Sequence, residues 1–428
     1  MRPVQKFSDF PFQSLAAKPR NSLRGATVTR RFHGSRKHRG SSGDIPGNLL
    51  GTLWIVLVRS CVVGDNVGML IPMRRAAAMF MSSCIPLVAV SALAQSQSVL
   101  LIPDTSADKI WAFNAFDGSV ISNNFIPNDG RMKQVIQVAQ TPQGTFLLAD
   151  VGSDQGCSAD DAVREYSRCG QYIRTLAGPS DGVCNPEGIC IAYGKVWFIR
   201  LYDVAFETTP GANAIWSMNY DGTGLTQVCA SPSFGKTWSL CPYNGGFLVG
   251  DILDHNLEFA PLNCVTSAPF YAYGQGGGTM RTPQQIQVLP DGKVIAMFFS
   301  GAAGASVFSA TGELQGQIST PTGRGVYPLG NGEVMFSGGT QVQAFNPVTS
   351  QLRTIVNQIT PLASFRWISP ATLVPCPADL NCSGVVDGAD LGALLGNWGS
   401  PGTGDLDGDG NTNGGDLGIL LGNWGSCG

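Results

Sequence analysis

The chain has 428 residues, with 13% charged residues and 55 glycines. That length accommodates two or three domains with substantial cores, and so much glycine with so few charges argues against a helical bundle and for turn-rich β architecture. The net charge of −3 averages two unlike parts: residues 1–94 hold 13 of the 27 Lys and Arg beside three acids, while the remainder is strongly acidic. An acidic body excludes nucleic acid as the partner, because phosphates need a basic surface.

Residues 1–72 are Arg-rich and without pattern, apart from an apolar run from Leu49 to Val58 that is short for a membrane span. They read as an over-extended translation start or a disordered leader, with an N-terminal anchor as the alternative. A signal peptide is expected over 73–94: Met73-Arg74-Arg75 is a short basic start, Ala76 to Leu93 is largely apolar, and Ala92-Leu93-Ala94 suits cleavage near Ala94. The product is then secreted or held at the cell surface. Beyond that point ten cysteines remain, without the histidines a zinc pattern would need. Disulfides in an oxidising compartment are expected, with the pairing open; Cys376 and Cys427 bracket the last segment and could staple its ends.

Over residues 95–375 one theme recurs every 40–50 residues or so: an apolar strand, a Gly-containing turn, a second apolar strand, a loop with an acid, and an amphipathic third strand. Examples are Val99–Asp104 with Lys109–Gly118, Gly144–Asp150 with Ala162–Gly170, and Gly325–Phe336 with Gln341–Pro347. Asp117-Gly118, Asp221-Gly222, Asp291-Gly292 and Asn331-Gly332 suit tight hairpins. Short sequential strands at this period predict an all-β fold, a β-propeller of about six blades. The first unit lacks its leading strand, and Ser364–Val374 is a strand left over at the end that can supply it and close the ring. The segments Ile102–Gly118 and Asn185–Ile199 resemble NHL-type propeller repeats, a resemblance that implies a scaffold and names no function.

Residues 376–428 form a different, duplicated segment. DLNCSGVVDGADLGALLGNWGS from Asp379 and DLDGDGNTNGGDLGILLGNWGS from Asp405 are offset by 26 residues. Each fits a 12-residue calcium loop, which offers a hard cation oxygens from positions 1, 3, 5, 7, 9 and 12. In the first loop these are Asp379, Asn381, Ser383, the Val385 carbonyl, Asp387 and Asp390; in the second, Asp405, Asp407, Asp409, the Asn411 carbonyl, Asn413 and Asp416. Gly384 and Gly410 stand at position 6, where the chain turns sharply. Two Ca²⁺ sites are expected, the second tighter because it has four carboxylates against three. Each loop runs into a short helix with Leu391, Leu394, Leu395 and Trp398, or Leu417, Leu420, Leu421 and Trp424, on one face. With no helix ahead of the first loop these are half EF-hands, expected to pair and bury those leucines and tryptophans.

This pattern resembles a dockerin, in the variant found at the C-termini of exported planctomycete-type proteins. The resemblance implies a small α-helical calcium module that tethers the chain to a protein partner, cohesin-like or another envelope protein. Cellulosomal dockerins carry hydroxyl residues at loop positions 10 and 11 and basic residues in the following helix. This chain has Gly388-Ala389, Gly414-Gly415 and no Lys or Arg in either helix, which puts cohesin docking of that kind in doubt.

Past residue 94 the chain has one histidine, His255, which excludes Ser-His-Asp catalysis and multi-His zinc sites. Asp104, Asp150 and Asp251 recur after equivalent strands and suit loop-forming roles. In gluconolactonase-like propellers a Glu, an Asn and an Asp meet a divalent cation in the central channel, and Glu187, Asn213 and Asp251 can be pictured in that way. SPSFGKTW (Ser231–Trp238) resembles a sialidase Asp-box with Ser233 in place of the Asp, between blades instead of within one. Two functional classes follow: a monomeric, non-catalytic propeller that binds an unidentified ligand, tethered through its calcium-loaded tail; or an extracellular enzyme, lactonase-like or polysaccharide-active, on the same tail.

Overall fold

The computed structural model describes residues 96–153, 157–201, 213–230, 236–264, 269–320, 323–358 and 364–427. The expected extension and signal peptide lie outside the described residues.

Six four-stranded antiparallel sheets follow one another along the chain. Blade 1 contains β1 (Gln97–Asp104), β2 (Lys109–Asn114) and β3 (Val120–Ile126); blade 2 has β4 (Val135–Gln140), β5 (Phe146–Val151), β6 (Asp161–Tyr166) and β7 (Tyr172–Ala177). Blade 3 has β8 (Pro186–Ala192), β9 (Lys195–Leu201), β10 (Asn213–Met218) and β11 (Thr226–Ala230); blade 4 has β12 (Thr237–Tyr243), β13 (Gly246–Asp251), β14 (Leu257–Pro261) and β15 (Pro269–Tyr271). Blade 5 has β16 (Met280–Val288), β17 (Val294–Gly301), β18 (Gly304–Phe308) and β19 (Leu314–Ser319); blade 6 has β20 (Gly325–Pro328), β21 (Val334–Gly338), β22 (Gln341–Asn346) and β23 (Gln351–Asn357).

The ring closes as the sequence predicts. Strand β24 (Ser369–Leu373) pairs antiparallel with β1, Leu101 opposite Ser369 and Ser98 opposite Thr372, and becomes the innermost strand of blade 1. Phe365 adds a bridge to Asp104. One blade is thus built from both ends of the propeller segment, which closes the ring.

The near-continuous apolar strands have a structural reason. In β5, FLLADV, every residue is buried, because successive side chains point to opposite faces and each face meets a neighbouring blade. Phe146 and Leu148 pack toward Val99, Leu101 and Ile110 of blade 1; Leu147 and Ala149 pack toward Val196 and Phe198 of blade 3. The outermost strands are polar by comparison, as in β7, where only Ala177 is buried. The hairpins are three-residue loops ending in a left-handed glycine: Leu289 N–H donates to Lys293 O at 2.8 Å around Gly292 at φ 82°, and Leu329 to Glu333 O at 2.8 Å around Gly332 at φ 87°.

Four of the innermost strands are bulged, as are the outer strand pairs. Register shifts fall between Val135 and Gln137, Pro186 and Ile189, Thr237 and Ser239, and Pro283 and Ile286. Each is a bulge near the start of its strand, and a bulge re-aims the side chains within it. Ile136, Trp238 and the buried Trp367, from three different blades, meet with Val151 in one apolar cluster, which only the axis of the ring can host. Gly188 lies in the bulge of blade 3, where an added Cβ would sit 3.0 Å from Leu240 N and 3.2 Å from Trp367 Cζ3.

After the propeller come two nine-residue helices, α1 (Gly388–Gly396) and α2 (Gly414–Gly422), and a two-residue ladder, β25 (Val385–Val386) with β26 (Gly425–Ser426). Each loop pairs with the segment that follows the other loop's helix. Val386 stands opposite Gly425, and Thr412 exchanges backbone bonds with Gly399 and Ser400 at 2.8 and 2.9 Å. This reciprocal arrangement is the physical form of the 26-residue duplication. Leu394 and Leu420 are fully buried and Leu391 and Leu417 pack beside them. The expectation for the remaining apolar positions needs correction: Leu395, Trp398, Leu421 and Trp424 stay about half exposed. Two short helices joined tip to loop cover one leucine row each, and the next row faces outward.

Four disulfides fix the chain: Cys157–Cys184, Cys169–Cys382, Cys229–Cys264 and Cys376–Cys427. The expected staple of the last segment is present. Cys169–Cys382 joins the outer hairpin of blade 2 to the first of the two C-terminal loops across 213 residues. Four such bonds belong to an oxidising environment.

Candidate functional site

Both C-terminal loops are wound around their own carboxylates. Asp379 accepts the N–H groups of Ser383 (2.9 Å) and Gly384 (2.8 Å); Asp405 accepts those of Gly408, Asp409 and Gly410 at 2.8–3.1 Å. At the far end Asp390 accepts from Asn381 (3.0 Å) and Asp387 (2.9 Å), and Asp416 from Asp407 (3.0 Å) and Asn413 (2.7 Å). Positions 1 and 12 therefore hold the loop from both ends, and both position-12 carboxylates are fully buried as residues. Asp387 and Asn413, at position 9, also cap the helices by accepting from Ala389 (2.8 Å) and Gly415 (2.7 Å). Gly384 and Gly410 have φ of 92° and 93°, a left-handed turn that side chains resist.

Further ligand positions bond to one another within each loop, and only in the second are several carboxylates grouped. The Val385 carbonyl accepts Ser383 Oγ at 3.0 Å, and the Asn411 carbonyl accepts Asn413 Nδ2 at 3.2 Å. In the second loop Asp405, Asp407 and Asp416 bring one oxygen each within 4.8 Å of one another, and Asp409 receives Asn413 Nδ2 at 2.9 Å. Like charges this close favour protonation unless a cation or donors oppose it. The Asp416 carboxyl lies below its ordinary range chiefly because the Asn413 N–H donates to it. All-oxygen donors on a glycine-turned loop fit a hard divalent ion.

The two loops differ in their surroundings. Arg168, next to the disulfide-bonded Cys169, brings Nε to 4.0 Å from Asp379, whose carboxylate is fully buried. Its neighbour in the loop, Cys382, has φ 60°, where the second loop places Gly408 at 76°. The first loop is thus gripped by the propeller and the second is not, a feature that no pattern within the loops reveals.

In the propeller, the recurring acids serve the chain itself. Asp104 accepts from Ser106 N (3.1 Å) and Trp111 Nε1 (3.3 Å). Asp150 accepts from Lys133 N (3.0 Å), Gln134 N (2.7 Å) and Arg164 Nη1 (2.6 Å). Asp251 accepts from Lys236 N (3.1 Å), Leu253 N (2.8 Å) and Asp254 N (3.2 Å). The loop-forming role expected of them accounts for these bonds. His255 lies at φ 63°, its Nδ1 accepting Thr282 N–H at 3.4 Å and its ring edge-on to Tyr273.

Of the trio pictured around a channel cation, Asp251 is committed to backbone amides, Asn213 begins β10 with a side chain outside the described residues, and Glu187 sits in the blade 3 bulge. Most of the Asp-box-like segment, 231–235, also lies outside the described residues. Glu187 is 4% exposed and its Oε2 has no hydrogen-bond partner. Burial pushes its carboxyl up to about 8, against the pull of Arg366, Arg324 and Lys236. Sequence reasoning picked out Glu187 but not the two arginines, which come from blades distant in the chain.

No family model and no curated protein matches the chain. Among solved structures, a chain from a nidogen/laminin complex is similar at 12% identity and a TM-score of 0.50, covering 64% of this chain and 98% of that one. A protein of unknown function from Bacteroides caccae is similar at 13% identity and a TM-score of 0.47, covering 64% and 99%. The first likeness concerns the fold alone.

Proposed function

We propose that the protein is an exported, calcium-binding β-propeller that acts as a non-catalytic binding module and is attached to a protein partner through its dockerin-like C-terminus. The observation that carries this reading is the pair of loops, each with six oxygen-bearing positions wound on its own carboxylates and each completed by the other's helix. The half-exposed Leu395, Trp398, Leu421 and Trp424 are the surface such a partner would cover, in keeping with the absence of the hydroxyl and basic residues that cohesin docking uses. On the propeller side, the similar chain from the nidogen/laminin complex belongs to a protein–protein assembly, which is compatible with a propeller whose work is binding.

Ca²⁺ would be held by Asp379, Asn381, Ser383, Val385 O, Asp387 and Asp390 in the first loop, and by Asp405, Asp407, Asp409, Asn411 O, Asn413 and Asp416 in the second. Its contribution is to neutralise the clustered carboxylates and so fix the loops. Calorimetric titration of the dialysed full chain with CaCl₂ tests this. Two sites are expected, the tighter one removed by Asp405→Ala; absence of any saturable Ca²⁺ binding contradicts the reading.

A further inference from the structure

One end of the propeller axis gathers charged residues from several blades. Glu187 lies in the bulge of β8, Lys236 directly precedes β12, Arg324 directly precedes β20, and Arg366 stands three residues before β24. Four blades thus contribute one charged residue each at the same end of their innermost strands. All three cations lie near enough to act on Glu187 electrostatically. Yet among the described residues no ion pair joins Glu187 to any of them, and both Glu187 Oε2 and Arg366 Nε are buried without a hydrogen-bond partner. Buried polar atoms in native folds are nearly always satisfied, so this arrangement is incomplete as it stands.

The Arg324 guanidinium and the backbones of both arginines are held in place. Arg324 donates from Nη1 to Gln284 Oε1 at 2.9 Å, and its Cζ lies 3.9 Å from the centre of the Phe299 ring. Its backbone N–H donates to Ser337 O at 2.7 Å, and that of Arg366 to Pro103 O at 2.9 Å. Trp367, Ile136 and Trp238 fill the axis alongside and supply an apolar wall. The cluster is therefore rigid, largely dry and positive in excess.

We infer that this end of the axis is a binding site for a small carboxylate-bearing ligand, whose carboxylate Arg324 and Arg366 hold and whose neighbouring hydroxyl meets Glu187. A planar guanidinium fork matches a carboxylate, and desolvation strengthens the pairing. The protonation of Glu187 works in the same direction. Burial keeps its proton on up to about pH 8, with Asp161 assisting and the three cations opposing, so at neutral pH it does not offset the arginines. The Arg324 pKa, pushed down to about 10 by burial and by Arg366, rises again once an anion sits between them. This inference deepens the reading of the propeller as a binding module and rests on it.

The test is calorimetry and ligand-observed NMR on the full chain with D-glucuronate, with D-glucose as its uncharged counterpart and inorganic phosphate as a second anion. Saturable one-to-one binding of glucuronate is expected, with none of glucose. Arg366→Ala and Arg324→Gln should each weaken binding by about tenfold or more. Glu187→Gln should hold its own glucuronate affinity constant from about pH 6.5 to about pH 9, a range over which the wild type weakens as Glu187 ionises. Equal binding of glucose, tighter binding of phosphate, or no glucuronate binding overturns the assignment, as does an Arg366→Ala variant that binds like the wild type. Should that variant fail to fold, the Glu187→Gln comparison decides alone, and unchanged pH dependence overturns the inference. Conversion of glucuronate to a product would instead leave the site standing and overturn the non-catalytic reading.

Discussion

Single residues in this molecule carry chemistry that burial has altered. Glu187 is the clearest case. Its folded pKa is raised, so between the ordinary glutamate range and about 8 the folded state binds a proton that the unfolded chain has released. Stability must therefore fall as pH rises through that window and level off above it. Glu187→Gln should melt higher than the wild type near pH 8 and no higher near pH 5; a pH-independent difference between the two contradicts the assignment. Burial acts in the same direction on Cys190 and Cys241, the two described cysteines outside the disulfides. Burial between blades 4 and 5 pushes the Cys241 thiol up to about 12, and burial between blades 3 and 4 pushes that of Cys190 well above its usual value, leaving almost no thiolate to react. Iodoacetamide should label neither in the native chain and both after unfolding, whereas rapid native labelling would show that the interface is open.

Structural elements show which features the sequence made legible. The period of apolar strands, the Asp-Gly and Asn-Gly hairpins and the orphan strand before Pro375 foretold a closed ring, because strand alternation and turn chemistry are local. The winding of both loops on their first and twelfth residues follows from spacing within twelve residues in the same way. The bulges were not. Nothing in the sequence marked Trp238 or Gln284 as bulge residues, and only the paired register of the neighbouring strand shows that they and Glu187 fall within bulges of the innermost strands. The pairing of Cys169 with Cys382 was equally hidden, since it depends on how blade 2 lies against the first loop. Partial exposure of Trp398 and Trp424 defied the expectation from helical spacing, which gives a face but not the size of the partner that covers it. Two element-level outcomes follow. Trp367→Ala removes the largest side chain from the axis and should cost about 3–5 kcal/mol in denaturant unfolding; a loss well under 1 kcal/mol would mean the axis is not a packed core. Cys382→Ala should destabilise the C-terminal segment by about 2–4 kcal/mol while the propeller transition stays in place, and an unaltered segment would show that the disulfide bears no load.

At the scale of the whole molecule, the propeller and the C-terminal segment are bonded to each other. Cys169–Cys382 and the approach of Arg168 to Asp379 make the segment a fixed appendage of blade 2, so its loops report on the propeller and are steadied by it. Calcium should still be needed, because each helix buries only a few leucines against seven clustered carboxylates in the two loops. Hydrogen exchange of the oxidised full chain, with excess Ca²⁺ and then with EGTA, tests this most directly. The account predicts that amides of residues 388–396 and 414–422 lose protection on chelation while the strands of the six blades keep theirs. Equal protection of both helices in the two conditions would contradict it.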